Sequence, residues 1–358
     1  MTRFFSGKVL AANALIFCLL MGVLEVTARL AYPEFTGHIH SSDRTLGLAY
    51  ARKNWNGFFV RLPNEEFQID ASRKLTIILG DSISNGYGTP FEDIFWVQAS
   101  RLEAATTAQP YYWLALAGYG NNLADSAVAL DKITAMNMRI GRVIYQFNFN
   151  DLMPASRADL QNIPAEGMVG SNWFRTIAIW RYEYLNHSTF LRVAQHYGGQ
   201  FSRKRAGSCE ERGLDALGPY TWTFGSRVYV KDSEAAWKNF EDQLAHIKER
   251  TGQAGADFII FISPLVFDID TQGRHPHYNH THLDFGCATI EPRARLAEIS
   301  GRLGIKLIDP TSHMRSGYEA RIKEGNFQPF FFTADENHFT PTAARYAAES
   351  LFAGIAQP

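Results

Sequence analysis

The chain has 358 residues, 46% of them hydrophobic and 20% charged, with a formal net charge of −1. This is the composition of a globular protein, and so balanced a charge offers no basic field to gather nucleic acid. The length allows about two domains, and the sequence holds no internal repeat and no low-complexity tract.

The amino-terminal stretch stands apart from the rest. Val9 to Ala28 reads VLAANALIFCLLMGVLEVTA, twenty mostly apolar residues, about the length that crosses a bilayer. Arg3 and Lys8 precede it and only Arg29 closely follows it. The bias puts the amino terminus in the cytoplasm and the rest of the chain outside. Residues 1–30 therefore read as a signal anchor, a single pass through the membrane. Val26-Thr27-Ala28 also offers a small-residue cleavage site, so removal of the segment after Ala28 is the alternative. Leu15-Ile16-Phe17-Cys18 ends like a lipoprotein signal, but bulky Phe17 argues against that. The exported part keeps Cys209 and Cys287, and an oxidising compartment permits a disulfide between them.

Residues 31–72 read as a polar linker, with Thr36 to Thr45 as a tether, and an irregular approach to a sheet. Leu75–Leu79 is a short apolar, β-branched run, the mark of a buried strand. It ends at Gly80-Asp81-Ser82, which places Ser82 at a strand tip, where open α/β folds put their sites. Ser82 is the candidate nucleophile. Thr89-Pro90-Phe91-Glu92 has the form of a helix start, and Phe95, Ala99 and Leu102 follow at helical spacing. Tyr111–Ala117 reads as a second strand, Asn122–Met136 as a helix and Arg142–Phe147 as a third strand. The rhythm resumes with an amphipathic helix over Ser233–Thr251 and strands at Asp257–Ser263 and Ile305–Ile308. A closing helix runs from Thr340-Pro341 to about Ala353. Alternation of this kind predicts a parallel sheet with helices on both faces.

Two stretches fall outside that rhythm. Residues 152–232 are rich in aromatics, among them Trp173, Trp180, Tyr197 and Trp222. Residues 266–296 carry His275, His277, His280 and His282. The aromatics suit the core of a small subdomain, or stacking on sugars. The histidines suit a solvated loop, or a zinc site whose ligand spacing is not diagnostic. Both stretches leave the active-site edge of the sheet, so they are expected to cap Ser82.

A serine hydroxyl needs a base, usually a histidine held by a carboxylate. Asp335-Glu336-Asn337-His338 supplies both, with His338 as base and Asp335 as orienter. With these residues the chain resembles the SGNH/GDSL hydrolase family, whose first block is Gly-Asp-Ser and whose last is Asp-x-x-His. Ala117-Gly118-Tyr119-Gly120 and Asn148-Phe149-Asn150-Asp151 are similar to its two middle blocks. The resemblance covers residues 73–151 and 256–352. It implies a flavodoxin-like three-layer α/β/α sandwich over 73–358, with a central five-stranded parallel sheet. It also implies an oxyanion hole built from the N–H of Ser82, the N–H of Gly118 and the amide of Asn150, with Gly120 as the alternative to Gly118. Asn148 stands where the family has glycine. No metal or organic cofactor is implied. The expected activity is hydrolysis of an acyl ester, acetyl esters included, on a carbohydrate or a lipid at the outer face of an inner membrane. An O-acyltransferase using the same site and a non-catalytic carbohydrate-binding or assembly protein are the alternatives.

Overall fold

The computed structural model describes residues 7–32, 52–55, 58–61, 68, 70, 72–86, 88–118, 121–148, 151, 188–191, 193–194, 197, 233–272, 292–332 and 338–356. Gly120, Asn150, Asp335, Cys209, Cys287, the four histidines at 275–282 and most of both insertions lie outside the described residues.

The apolar segment forms helix α1, Gly7–Ala31. Within it Ala12–Ala31 is long and apolar enough to cross a membrane, a property that signal sequences share. The approach to the sheet is less irregular than its composition suggests. It carries an antiparallel hairpin of β1 (Arg52–Trp55) and β2 (Phe58–Arg61).

The central sheet has five strands: β3 (Leu75–Gly80), β4 (Tyr112–Ala117), β5 (Ile140–Phe147), β6 (Asp257–Ile262) and β7 (Lys306–Ile308). They pair in the order β4-β3-β5-β6-β7, every pair parallel. Counted within the sheet this is the flavodoxin-like order, and its switch point falls at the ends of β3 and β5. Each expected strand is present, with ends that move by one or two residues. All six residues of β3 are buried, as a strand covered on both faces requires.

Alternation along the strands sorts side chains between two helical layers. On β5, Tyr145 and Phe147 meet Phe240 of the long helix Ser233–Gln253. Gln146 faces the other way. Its neighbour Phe261 on β6 stacks on Phe95, with ring centroids 5.1 Å apart. The helices in chain order are α2 (Ser82–Asn85), α3 (Phe95–Thr106), α4 (Leu123–Ala135), α5 (Ser233–Gln253), α6 (Val266–Ile269), α7 (Pro292–Leu303), α8 (Thr311–Lys323) and α9 (Pro341–Ala356). α3 and α9 pack together on one face, α4 and α5 on the other.

Three local expectations change. Thr89-Pro90 opens only a 3₁₀ turn, Phe91–Asp93; Ile94 is extended, and α3 begins at Phe95. The Thr89 hydroxyl donates to the Phe339 carbonyl at 3.1 Å instead of capping a helix, and Ile94 is drawn into the core. The stretch 266–296 contains α6 and the start of α7, whose Leu296 and Ile299 are fully buried. Helix α8 was not expected at all. Of its apolar residues only Met314 and Tyr318 are buried, too few for a periodic signal.

Candidate active site

The site is built where β3, β4 and β5 end level with one another. Gly80 pairs with Ala117 and Leu79 with Tyr145, so the segments after these strands share one edge of the sheet. Asp81 turns the chain out of β3. Its carboxylate accepts from the Ile83 N–H at 2.9 Å and caps α2, which carries Ser82 on its first residue. Gly86 closes that turn in the left-handed region, φ 75°. A Cβ there would come within 2.5 Å of Ile94.

A buried set of hydrogen bonds fixes this turn. Gln146 Oε1 accepts from Ser84 Oγ at 2.9 Å and from the Asp81 N–H at 3.4 Å. Asn85 Nδ2 donates to the Ala117 carbonyl at 2.9 Å, directly before Gly118. Trp96 Nε1 donates to the Ser84 carbonyl at 2.7 Å. Arg61, at the end of β2 and only 5% exposed, donates to the carbonyls of Asn85, Gly86 and Thr89. Sequence reasoning gave no role to Gln146 or Arg61, and gave Thr89 a helix cap instead of its bond to Phe339. Arg61 in particular carries no local signal, because it sits in a stretch read as linker.

The carboxy-terminal partner arrives through a narrow loop. Phe331 and Phe339 form an antiparallel bridge, the Phe332 N–H donates to the His338 carbonyl at 3.2 Å, and the Thr340 N–H donates to the Phe330 carbonyl at 2.9 Å. Thr340 then leads into α9, with Pro341 at its first position as expected. The ring of Phe339 packs edge-on to Phe95. These contacts pin His338 from both sides of the loop.

His338 Nε2 lies 2.7 Å from Ser82 Oγ, across 256 residues of sequence. Both side chains are partly buried, open enough to meet a substrate and enclosed enough to strengthen a charge interaction. Gly118 sits at the end of β4, half-buried. A Cβ on it would lie 2.8 Å from the Asn121 amide. Asp335 and Asn150 lie outside the described residues, so the structure brings together three of the five expected positions: Ser82, His338 and Gly118.

The end of β5 is polar and buried. Asn148 is fully buried; its N–H donates to Asp151 Oδ2 at 2.8 Å, and neither atom of its side-chain amide has a hydrogen-bond partner among the described residues. Burial pushes the Asp151 carboxyl well above the usual carboxylate range, and the nearby Asp81 charge pushes it further. Burial likewise raises the Tyr145 phenol beside it. The bulk that Asn148 adds over glycine is thus turned inward.

Behind the histidine, Ile83, Thr89, Ile94, Phe95 and Phe339 line a small recess. A roomier cavity of about 470 Å³ opens at the opposite edge of the sheet, near Arg142, Asp257 and Lys306. None of its lining residues is a serine, histidine or cysteine.

No protein-family model matches the chain, and no curated protein matches it. Solved structures similar to it include a member of the lipolytic G-D-S-L family from Veillonella parvula, at 13% identity and TM-score 0.40, covering 80% of this chain and 100% of that one. A lipase/acylhydrolase from Enterococcus faecalis is similar at 12% identity and TM-score 0.39, covering 79% of this chain and 95% of that one. A catalytic mutant of an acetylxylan esterase from Geobacillus stearothermophilus is similar at 9% identity and TM-score 0.40, covering 79% and 94%.

Proposed function

We propose that the chain is a membrane-tethered serine ester hydrolase of the SGNH/GDSL type, acting outside the cytoplasm. The observation that carries this reading is the hydrogen bond of 2.7 Å between Ser82 Oγ and His338 Nε2 at the carboxyl edge of the sheet. In this reading Ser82 Oγ attacks the acyl carbonyl while His338 Nε2 takes its proton. Asp335, three residues before the histidine, holds the other ring nitrogen and stabilises the imidazolium. The N–H groups of Ser82 and Gly118 and the Asn150 amide receive the oxyanion. The tetrahedral intermediate then collapses, His338 protonates the departing alkoxide, and the acyl group stays on Ser82. Water completes the cycle: His338 takes its proton as it attacks, and Ser82 regains a proton when the acid leaves. The substrate is an acyl ester of a carbohydrate or lipid, acetyl esters included. All of these groups belong to the chain itself.

Short-chain p-nitrophenyl esters test the reading, with the full chain in detergent. His338→Ala should lower turnover by about ten-thousandfold with the protein still folded. Turnover that His338→Ala leaves intact would refute it. Release that begins only when a saccharide acceptor is added would move the reading to acyl transfer.

A further inference from the structure

Glu25 is an acidic residue inside an apolar span, where a charge is costly unless it is paired. Besides Arg29, one turn on, its partners come from a distant part of the chain. Glu25 Oε2 accepts from Ser188 Oγ at 2.8 Å and from the Phe190 N–H at 3.0 Å; Oε1 accepts from the Thr189 N–H at 2.9 Å and from Arg29 Nε at 2.8 Å. Ser188 Oγ in turn accepts from the Leu191 N–H at 3.1 Å. The stretch 189–197 is helical where described, so the Glu25 carboxylate and the Ser188 hydroxyl together occupy the free N–H groups at its start.

A second contact fixes the direction. Tyr32 and Tyr197 meet with ring centroids 5.7 Å apart. Glu25 to Tyr32 is seven residues and Thr189 to Tyr197 is eight, so the two helical stretches run side by side in the same direction. Ala28, Thr189 and Val193 are buried. Toward its middle α1 is exposed on both sides: Leu15, Leu19 and Val23 on one face and Phe17 on the opposite one are each more than 60% exposed. Among the residues of α1 whose burial is described, the one buried is Ala28, near the outer end.

We infer that the helical stretch from Ser188 docks lengthwise on the outer end of α1 and lies with it in the outer boundary of a phospholipid bilayer, which makes α1 a retained structural anchor. Glu25 lies six residues before Ala31, the end of the span. At a rise of roughly 1.5 Å per residue that is a depth of about 9 Å, within the range at which interfacial helices sit. Ser188 is then the deepest described point of the insertion, and the chain climbs out of the membrane toward Tyr197. The insertion departs after Asp151 and rejoins the fold at α5. It therefore hangs from the sheet edge that carries Ser82, and the two helices hold that edge toward the lipid surface. Cleavage after Ala28 would remove Glu25 and uncap the stretch at 188–190. The inference is independent of the catalytic reading, because neither helix contributes to the Ser82–His338 pair.

The test is spin-label accessibility in the full chain, with the three native cysteines replaced by alanine and the protein in phosphatidylcholine–phosphatidylglycerol vesicles. Nitroxides are placed singly by Val26→Cys in the span, Ala194→Cys on the docked stretch and Lys323→Cys on the exposed surface of the domain. The expected result is that the label at 194 collides with oxygen far more than with a water-soluble nickel chelate, close to the ratio for the label at 26. A ratio equal to that of the label at 323 would overturn the inference. Glu25→Leu, which keeps the span apolar, should drop the ratio at 194 several-fold and leave that at 26 unchanged; no change at 194 would overturn the role of Glu25. Amino-terminal sequencing of the membrane-extracted protein should find α1 still attached, and a chain beginning at Arg29 would also overturn it.

Discussion

Replacing Arg61 by alanine should destabilise the fold and the nucleophile turn together. The guanidinium is buried and donates to three carbonyls, of Asn85, Gly86 and Thr89, all in the turn that follows Ser82. Losing a charged donor leaves each carbonyl short of a partner. At roughly 1–2 kcal/mol apiece, with water refilling part of the space, the loss is about 3–5 kcal/mol. For a domain of this size a loss of about 1 kcal/mol lowers the melting temperature by roughly 2–4 °C, so the variant should melt about 6–20 °C lower. Activity should fall below the melting point as well. Asn85 also holds the Ala117 carbonyl, so a looser turn shifts Ser82 and Gly118 at once, and a displacement of about 1 Å costs on the order of a hundredfold. The loss should appear in kcat rather than KM. Arg61→Lys should not restore it, because one ammonium cannot span three carbonyls as a planar fork does. Thermal unfolding and ester turnover read the two effects. A variant that melts with the wild type and turns over at its rate would refute the assignment of Arg61 as the buttress of the nucleophile turn.

Glu103→Ala should cost about 2–4 kcal/mol, since it takes the carboxylate from the partly buried Arg142 guanidinium, 3.1 Å from Glu103 Oε1, and leaves Trp113 Nε1 without its acceptor; an unchanged denaturation midpoint would contradict this. Asp151→Asn should become more stable relative to wild type as pH rises above 3.8, the ordinary value for the carboxyl. There the unfolded wild-type chain releases a proton that the buried carboxyl keeps, so wild type loses stability with rising pH while the amide does not. Unfolding compared at acidic and neutral pH checks the sign. Asn150→Ala should lower kcat about a hundred- to a thousandfold with little change in KM, and a defect confined to KM would give Asn150 a binding role instead.

The sheet was legible because each strand is a short apolar run, β-branched in all but Tyr112–Ala117, ended by glycine or a polar turn, and Leu75–Gly80 shows how directly burial on both faces is written in such a run. The Ser82–His338 pair was legible for a different reason. A lone serine and a lone histidine say little, but Gly-Asp-Ser at a strand tip and Asp-x-x-His before the closing helix together carry the resemblance to the SGNH/GDSL family. What supports the pair was not legible. Arg61 acts from a hairpin whose strands are four residues each, and Thr89 matched a helix cap while its hydroxyl is engaged by Phe339. Both roles depend on contacts between segments that no local pattern encodes. Helix α8 escaped because it buries too few side chains to show a period. Glu25 was visible as an acidic residue near the end of the span, but its partners other than Arg29 lie more than 160 residues away.

The central claim is that Ser82 is an activated nucleophile, and covalent labelling tests it most directly. The full chain is treated at neutral pH with a fluorophosphonate, which reacts with a serine only when a base withdraws its proton, and the modified residue is located by peptide mass. The account predicts one adduct per chain, on Ser82, that disappears in Ser82→Ala and in His338→Ala. A folded protein that takes no label, or takes it on another serine with Ser82 unmodified, would contradict it.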